Sequence, residues 1–378
     1  MSRSAAIVAN GFADGPAQAL RDYLVDRGVR VITVLHPLTS EQGTTHRVTE
    51  HADGARVDAR SIDLRLRPPV SFALDPLVPL RLPRLDVWFG FNPLACARGL
   101  AERRLGRARK VVLWSVDFVP DRFGHGTPLT KLYNALDRLS CTHADARIEL
   151  SETARVARNQ HHRIDATRVP TRVVPMGAWL ERTPTADPDA FIRRRVVFLG
   201  HLVPRQGVAM LLEAAALLQT RGEGVVVDVI GTGLEEEALR ERSRELGLQD
   251  VVRFHGYVPD HRDVERLLAN SSMAVAPYVP SATTFTRHAD PGKLKAYLAA
   301  GLPIILTEVP PNARELAEEA GAELVRYDSV AIADAVAGTL SSSERWRERS
   351  ERARRYSERF DWPVLLGGAL DDLGLLHS

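Results

Sequence analysis

Short apolar runs alternate with amphipathic segments along this chain, and the alternation starts afresh after a proline-rich seam. Strands separated by helices cannot turn back on one another as hairpins, so the pattern points to parallel sheets covered by helices on both faces. In the first half, residues 5–9 read as a strand ending at Asn10-Gly11. A helix follows over 16–26, with Ala17, Leu20, Tyr23 and Leu24 at helical spacing, and Gly28 stops it. Strands are predicted again at 29–35, 87–91, 111–115, 148–150 and 172–174. The stretch 43–84, rich in proline and arginine, follows neither period.

The seam lies at 180–189, where Thr183-Pro184-Thr185 and Asp187-Pro188 disfavour helix. Beyond it, strands are predicted at 196–199, 225–230, 251–254 and 273–276, with 304–306 completing the core. Val208, Leu211, Leu212, Ala215 and Leu218 mark one face of a helix, and Glu235-Glu236-Glu237 open another at the end where the macrodipole favours acids. The second half therefore reads as a Rossmann-like domain. From Trp346 on the chain is helical and basic, with a break near Asp361-Trp362-Pro363.

A chain of 378 residues, 44% hydrophobic, can bury two or three cores. Its net charge of +2 gives no argument for a nucleic-acid partner. Cys96 and Cys141 have no partners at metal-ligand spacing and read as reduced thiols, buried or half-buried. The weakly apolar segment 4–10 is too short for a signal peptide, and no apolar run approaches the ~20 residues that span a bilayer. A cytoplasmic protein is expected. The run from Arg98 to Lys110 carries Arg98, Arg103, Arg104, Arg107, Arg109 and Lys110 against Glu102 alone. It reads either as a solvated helix face or as a patch for an anionic acceptor or weak contact with a membrane surface.

In an open parallel sheet, ligands bind beyond the carboxyl ends of the strands, and three loops there have unusual composition. The first, 200–207, is bounded by Gly200 and Gly207 and carries Arg205 at a helix start. The second is Gly231-Thr232-Gly233, on its own an ordinary turn. The third, 290–303, holds a whole helix: Asp290 suits the N-cap, Pro291 the first helical position and Gly301 the C-terminal cap. The N–H groups of Gly292 and Lys293 and the Lys293 ammonium then form an anion site, beside the hydroxyls of 281–286.

These loops, in this order, resemble the GT-B glycosyltransferases, in particular those of family 4. The specific part of the likeness runs from Val173 to Val309, with 200–207 similar to the family's first donor turn and 291–303 to its P-x-K-x-x-E-Y-x-A-A-G-x-P segment. The resemblance implies an α/β GT-B fold of two Rossmann-like domains facing a cleft, at 1–178 and 190–355, with 356–378 returning to the first. It implies transfer of a sugar from a nucleotide-diphosphate donor to a small-molecule, glycan or lipid-linked acceptor, with retention and without a metal or other cofactor. Arg205 and Lys293 would act on the leaving group. The donor would lie among Gly15, His201, Gln206, Gly233, Tyr257, Thr283, Thr284, Phe285, His288 and Gly292. Asp117, in the loop after the strand at 111–115, is the candidate acceptor-side carboxylate, with a loop-capping role as the alternative, and His125 is a candidate on a neighbouring loop.

The departures are specific. His201 and Gln206 stand where the family has arginine and lysine in the first turn, and Arg205 compensates only if the turn rotates. The family's two glutamates fall on His288 and Ala296, and alanine cannot grip a ribose. Losing one such charged hydrogen bond costs roughly 1.5–3 kcal/mol. Two further readings therefore stand beside the first: an enzyme using a sugar 1-phosphate or other non-nucleotide donor, and a catalytically silent protein supporting a partner transferase.

Overall fold

The computed structural model describes residues 3–12, 14–68, 70–80, 82–280 and 290–375. The chain divides into two compact units, Met1–Pro175 with Trp362–Ser378, and Met176–Asp361. The seam at 180–189 belongs to the second unit, where the Ala186 N–H bonds to Ala300 O and Arg354 reaches Leu180 O. Among the described residues no helix is long and apolar enough to cross a membrane.

The first unit holds one sheet in the order β4-β3-β2-β1-β5-β6-β7-β8. Six strands, β1 (Ser4–Asn10), β2 (Arg30–His36), β5 (Leu85–Gly90), β6 (Ala108–Ser115), β7 (Ala146–Glu149) and β8 (Thr171–Val173), run parallel. The apolar runs of β1, β2, β5, β6 and β7 are buried on both faces, as helix-covered strands require, while the edge strand β8 is not. The stretch without a period contains β3 (Thr45–Ala52) and β4 (Ala55–Asp63), an antiparallel hairpin added to the edge of β2. Its two-residue turn is Asp53-Gly54, both at left-handed φ, a turn signal that the sequence displayed. β4 is mostly exposed and carries Arg56, Asp58 and Arg60, charges that discourage edge-to-edge pairing. The helix Trp362–Asp372 packs on the helix Pro16–Val25, and Arg172 pairs with Asp372 at 3.0 Å.

The second unit is a six-stranded parallel sheet in the order β11-β10-β9-β12-β13-β14. Its strands are β9 (Arg195–Leu199), β10 (Val226–Ile230), β11 (Val252–Gly256), β12 (Met273–Ala276), β13 (Ile304–Thr307) and β14 (Glu323–Val325). The core does not end at 304–306: the half-buried edge strand β14 follows, too short to show a period. Helices cover each face. Val208–Thr220 and Ser329–Thr339 pack on one side, and Gly292–Ala299, Ala313–Ala320 and Ser343–Ser357 on the other.

At the carboxyl ends of β6 and β7, the first unit buries a charge network. Arg158 bonds to Asp137 and, at 3.1 Å, to Glu149, while Arg147 meets Glu149 at 2.6 Å and His162 meets Asp137 at 2.8 Å. The same guanidinium also donates to Asp117 O at 2.6 Å and to Ser115 Oγ, fixing the loop that follows β6. Arg158 thus ties two helices and that loop to the sheet. Replacing it by alanine leaves Glu149 with Arg147 alone and Asp137 with His162 alone, and Arg158→Ala should lose about 3 kcal/mol in urea unfolding. A loss under 1 kcal/mol would show that the carboxylates find other partners.

Candidate functional site

The second unit's strands run outward from β9 through β10 to β11, whereas β12 lies on the other side of β9. Connections therefore diverge between β9 and β12, which is where open α/β sheets bind ligands. Lys293 occupies this point. Its Nζ lies 4.1 Å from the ring centre of Phe198 in β9 and 4.9 Å from that of Tyr278, just past β12. It donates a 2.5 Å hydrogen bond to Gln206 Oε1. A side chain at Gly200 would put its Cβ 3.0 Å from the same nitrogen, so the ammonium rests against bare backbone.

The ammonium is half-buried on a helix whose first residue is Gly292. Burial, with the charge of Arg205 added, lowers its pKa from 10.5 to about 7. The ring faces and the amide oxygen of Gln206 attract the cation without neutralising it. The buried Tyr278 hydroxyl meets no hydrogen-bond partner among the described residues. A cation with neutral neighbours, at the positive end of a helix dipole, is suited to an anion.

The surroundings explain how the helix is aimed. Tyr297, one turn beyond Lys293 and fully buried, accepts the Leu199 N–H at 2.7 Å and so pins the helix to the end of β9. Lys295, two residues on, points elsewhere because i and i+2 do not share a helix face. It is buried, paired with Asp290, and lies 4.6 Å over the ring of Phe360. This corrects the expected cap. Asp290 takes the Lys295 ammonium on one oxygen and the Met176 N–H, at 2.7 Å, on the other. Pro291 stands at the N-cap instead, and the helix begins at Gly292. Gly301, at φ +68°, follows the helix end as its sequence position suggested.

The two glycine loops interlock. Gly200 N–H bonds to Ile230 O and Leu202 N–H to Thr232 O, each at 2.9 Å. A Cβ at Gly231 would fall 2.0 Å from Gly200 O, and one at Gly233 2.3 Å from Leu202 O. Gly231-Thr232-Gly233 therefore lets the first turn pack on it backbone to backbone. Pro204–Gln206 form a 3-10 turn that leaves Arg205 and His201 exposed and brings Gln206 onto Lys293. The charge of Arg205 bears on Lys293 through space.

The other candidate residues are spread more widely. Tyr257, 64% exposed, follows the edge strand β11, two strands from Lys293. Thr283, Thr284, Phe285 and His288 lie outside the described residues. Gly15 and Asp117 belong to the first unit. Gly15 precedes the helix Pro16–Val25 in extended backbone, and the Asp117 carboxylate is paired with Arg122. His125 is 94% exposed beside Asp121. The basic run spans a helix, a turn and the start of β6, and is engaged largely within its unit. Arg98 and Arg107 meet Glu102, Arg103 meets Asp145, and Lys110 donates to Gly374 O. Sequence reasoning missed Phe198, Tyr278 and Tyr297, since nothing local separates a ring that cradles a cation from one that fills a core.

Residues 193–342 match the family model for glycosyl transferases group 1. Across 98% of its length the chain superposes on sucrose-phosphate synthase from Thermosynechococcus elongatus, covering 98% of that chain, with a TM-score of 0.72 at 17% identity. The Anabaena protein HepE, crystallised with UDP-glucose, gives a TM-score of 0.68 at 15% identity, covering 98% of this chain and 99% of that one. The chain has the GT-B fold, and the match to the glycosyl transferases group 1 model lies within its second unit. Among curated proteins it is 30% identical to the GDP-mannose-dependent alpha-(1-6)-phosphatidylinositol monomannoside mannosyltransferase of Mycolicibacterium smegmatis, over 57% of this chain and 58% of that protein. The chain spans little more than half the length of the first curated relatives it matches.

The position of Lys293 has a measurable cost. Its folded pKa is depressed, so the penalty for burying the charge is complete below pH 7 and is relieved as pH rises from about 7 toward 10.5. Lys293→Met should therefore stabilise the protein at pH 6, by on the order of 2 kcal/mol once residual solvent contact is allowed for. The gain should shrink toward pH 10 in paired urea titrations. Equal stability of the two proteins at pH 6 would mean that the ammonium is not desolvated.

Proposed function

We propose that this chain is a glycosyltransferase that takes its sugar from a nucleotide-diphosphate donor and holds the diphosphate at Lys293. The observation that carries the reading is the position of that ammonium at the switch point, on a helix N-terminus, with no carboxylate among its contacts described above. As the sugar leaves, negative charge grows on the diphosphate, and fixed N–H dipoles and cations stabilise it without reorganising. An arriving anion favours the charged form of Lys293 and draws its pKa back up. Arg205, on the adjoining turn, supplies a second cation, with His201, Gln206 and Gly292 beside it. The leaving phosphate takes the acceptor's proton, the stereochemistry is retained and no metal is required, while Asp117 serves the acceptor. The mannosyltransferase named above for its use of GDP-mannose, and the neighbour crystallised with UDP-glucose, support a nucleotide donor.

A specific residue favours a second reading. Ala296 is half-buried against the apolar core and offers no acceptor to ribose hydroxyls. A sugar phosphate lacking the nucleoside would not need one.

Thermal shift of the whole chain with GDP, UDP, ADP, pyrophosphate and sugar 1-phosphates separates the two. One nucleoside diphosphate should raise the Tm well above pyrophosphate, and Lys293→Ala should weaken it about 10- to 100-fold. Sugar phosphates or pyrophosphate acting as strongly as any nucleotide would establish the second reading. Binding of none, with no transfer from any nucleotide sugar or sugar phosphate, would defeat both.

A further inference from the structure

The first unit contains a buried cluster that the donor chemistry does not use. His36 ends β2 and His46 lies on β3, and the antiparallel register that pairs Leu35 with Arg47 sets these two histidines opposite each other. Their Nδ1 atoms are 2.7 Å apart, and each lies 3.8 Å from Asp75 Oδ1. Asp75 opens the short 3-10 turn Asp75–Leu77. All three side chains are at most 3% exposed.

The three atoms form a triangle whose centre is about 2.0 Å from each corner, the bond length of a zinc ion to imidazole nitrogen or carboxylate oxygen. A tetrahedral angle at the ion asks the two nitrogens to part by about 0.6 Å, which small rotations of two rings supply. Two imidazoles and one carboxylate suit a borderline first-row cation, whereas calcium and magnesium prefer oxygen alone.

The cluster is also incomplete as a hydrogen-bonded core. Asp75 Oδ1 meets no hydrogen-bond partner among the described residues although it is buried, and leaving such an atom unpaired is costly. Its other oxygen is held by Asn10 Nδ2 at 2.8 Å, and Asn10 Oδ1 in turn accepts from Asn92 Nδ2 at 2.7 Å. Outer partners of this kind orient a ligating carboxylate.

We propose that His36, His46 and Asp75 bind one divalent transition-metal ion, zinc by the nature of its donors, which clamps the β3–β4 hairpin and the Asp75–Leu77 turn to the parallel sheet. Two of the three ligands, His46 and Asp75, lie in the stretch 43–84, which contributes few apolar side chains to the core. A bond between segments does there what burial does elsewhere in the unit.

The test uses the full chain, stripped with a chelator, dialysed and titrated with zinc chloride. One zinc per chain should bind and raise the Tm. His46→Gln and Asp75→Asn should each weaken binding at least about 100-fold, beyond the 10- to 100-fold loss typical of outer-sphere changes, while the stripped variants keep the circular dichroism of the stripped wild type. Cobalt(II) bound to the wild type provides a readout independent of any variant's folding: strong visible d–d bands mark a four- or five-coordinate nitrogen and oxygen site. No stoichiometric zinc binding to the wild type would overturn the proposal, as would equal binding by both variants or only the weak bands of six-coordinate cobalt.

Discussion

A parallel strand cannot follow its neighbour without a crossover, and that constraint organises each unit of this protein. Every crossover returns the chain to the same edge, so the loops that leave the strands gather at their carboxyl ends. In the second unit this brings the turn after β9, the segment after β12 and the helix carrying Lys293 to one point. In the first it sets Asn10 beside His36, and the loop bearing Asp117 above the Arg158 network.

Buried charge is treated in two opposite ways in this protein. Arg158 is surrounded by Asp137, Glu149, Ser115 and a carbonyl, and its charge is fully answered. Lys295 is likewise answered by Asp290. Lys293, two residues away, has an amide and two aromatic rings. Paired charges hold structure together, whereas a cation met only by neutral groups keeps its attraction for an incoming anion. The contrast between neighbouring lysines separates the chemistry of this helix from its anchoring.

Much of the fold was legible in the residues. The repeated alternation of apolar run and helix indicated parallel sheets, and the string of motifs from Val173 to Val309 indicated GT-B. The hairpin at 45–63 was overlooked although Asp53-Gly54 marks its turn, because its outer strand is mostly exposed and alternates charged with small residues instead of forming an apolar run. Lys293 was read as an anion ligand from the helix signals around it, but Asp290 was misread. A capping residue and a buried counter-ion look alike in sequence, and only the proximity of Met176, 114 positions earlier, distinguishes them.

The sequence by itself determined the class of fold and the order of the loops, and it drew attention to Lys293, because periodicity and turn chemistry are local properties of the chain. Tertiary structure alone decided which charges are answered. Gln206 meets Lys293 across 87 residues, Gly231 admits the backbone of Gly200, and Asp75 reaches His36 and His46 from a separate segment. Those encounters depend on strand order and register, which bring together side chains that no local pattern relates.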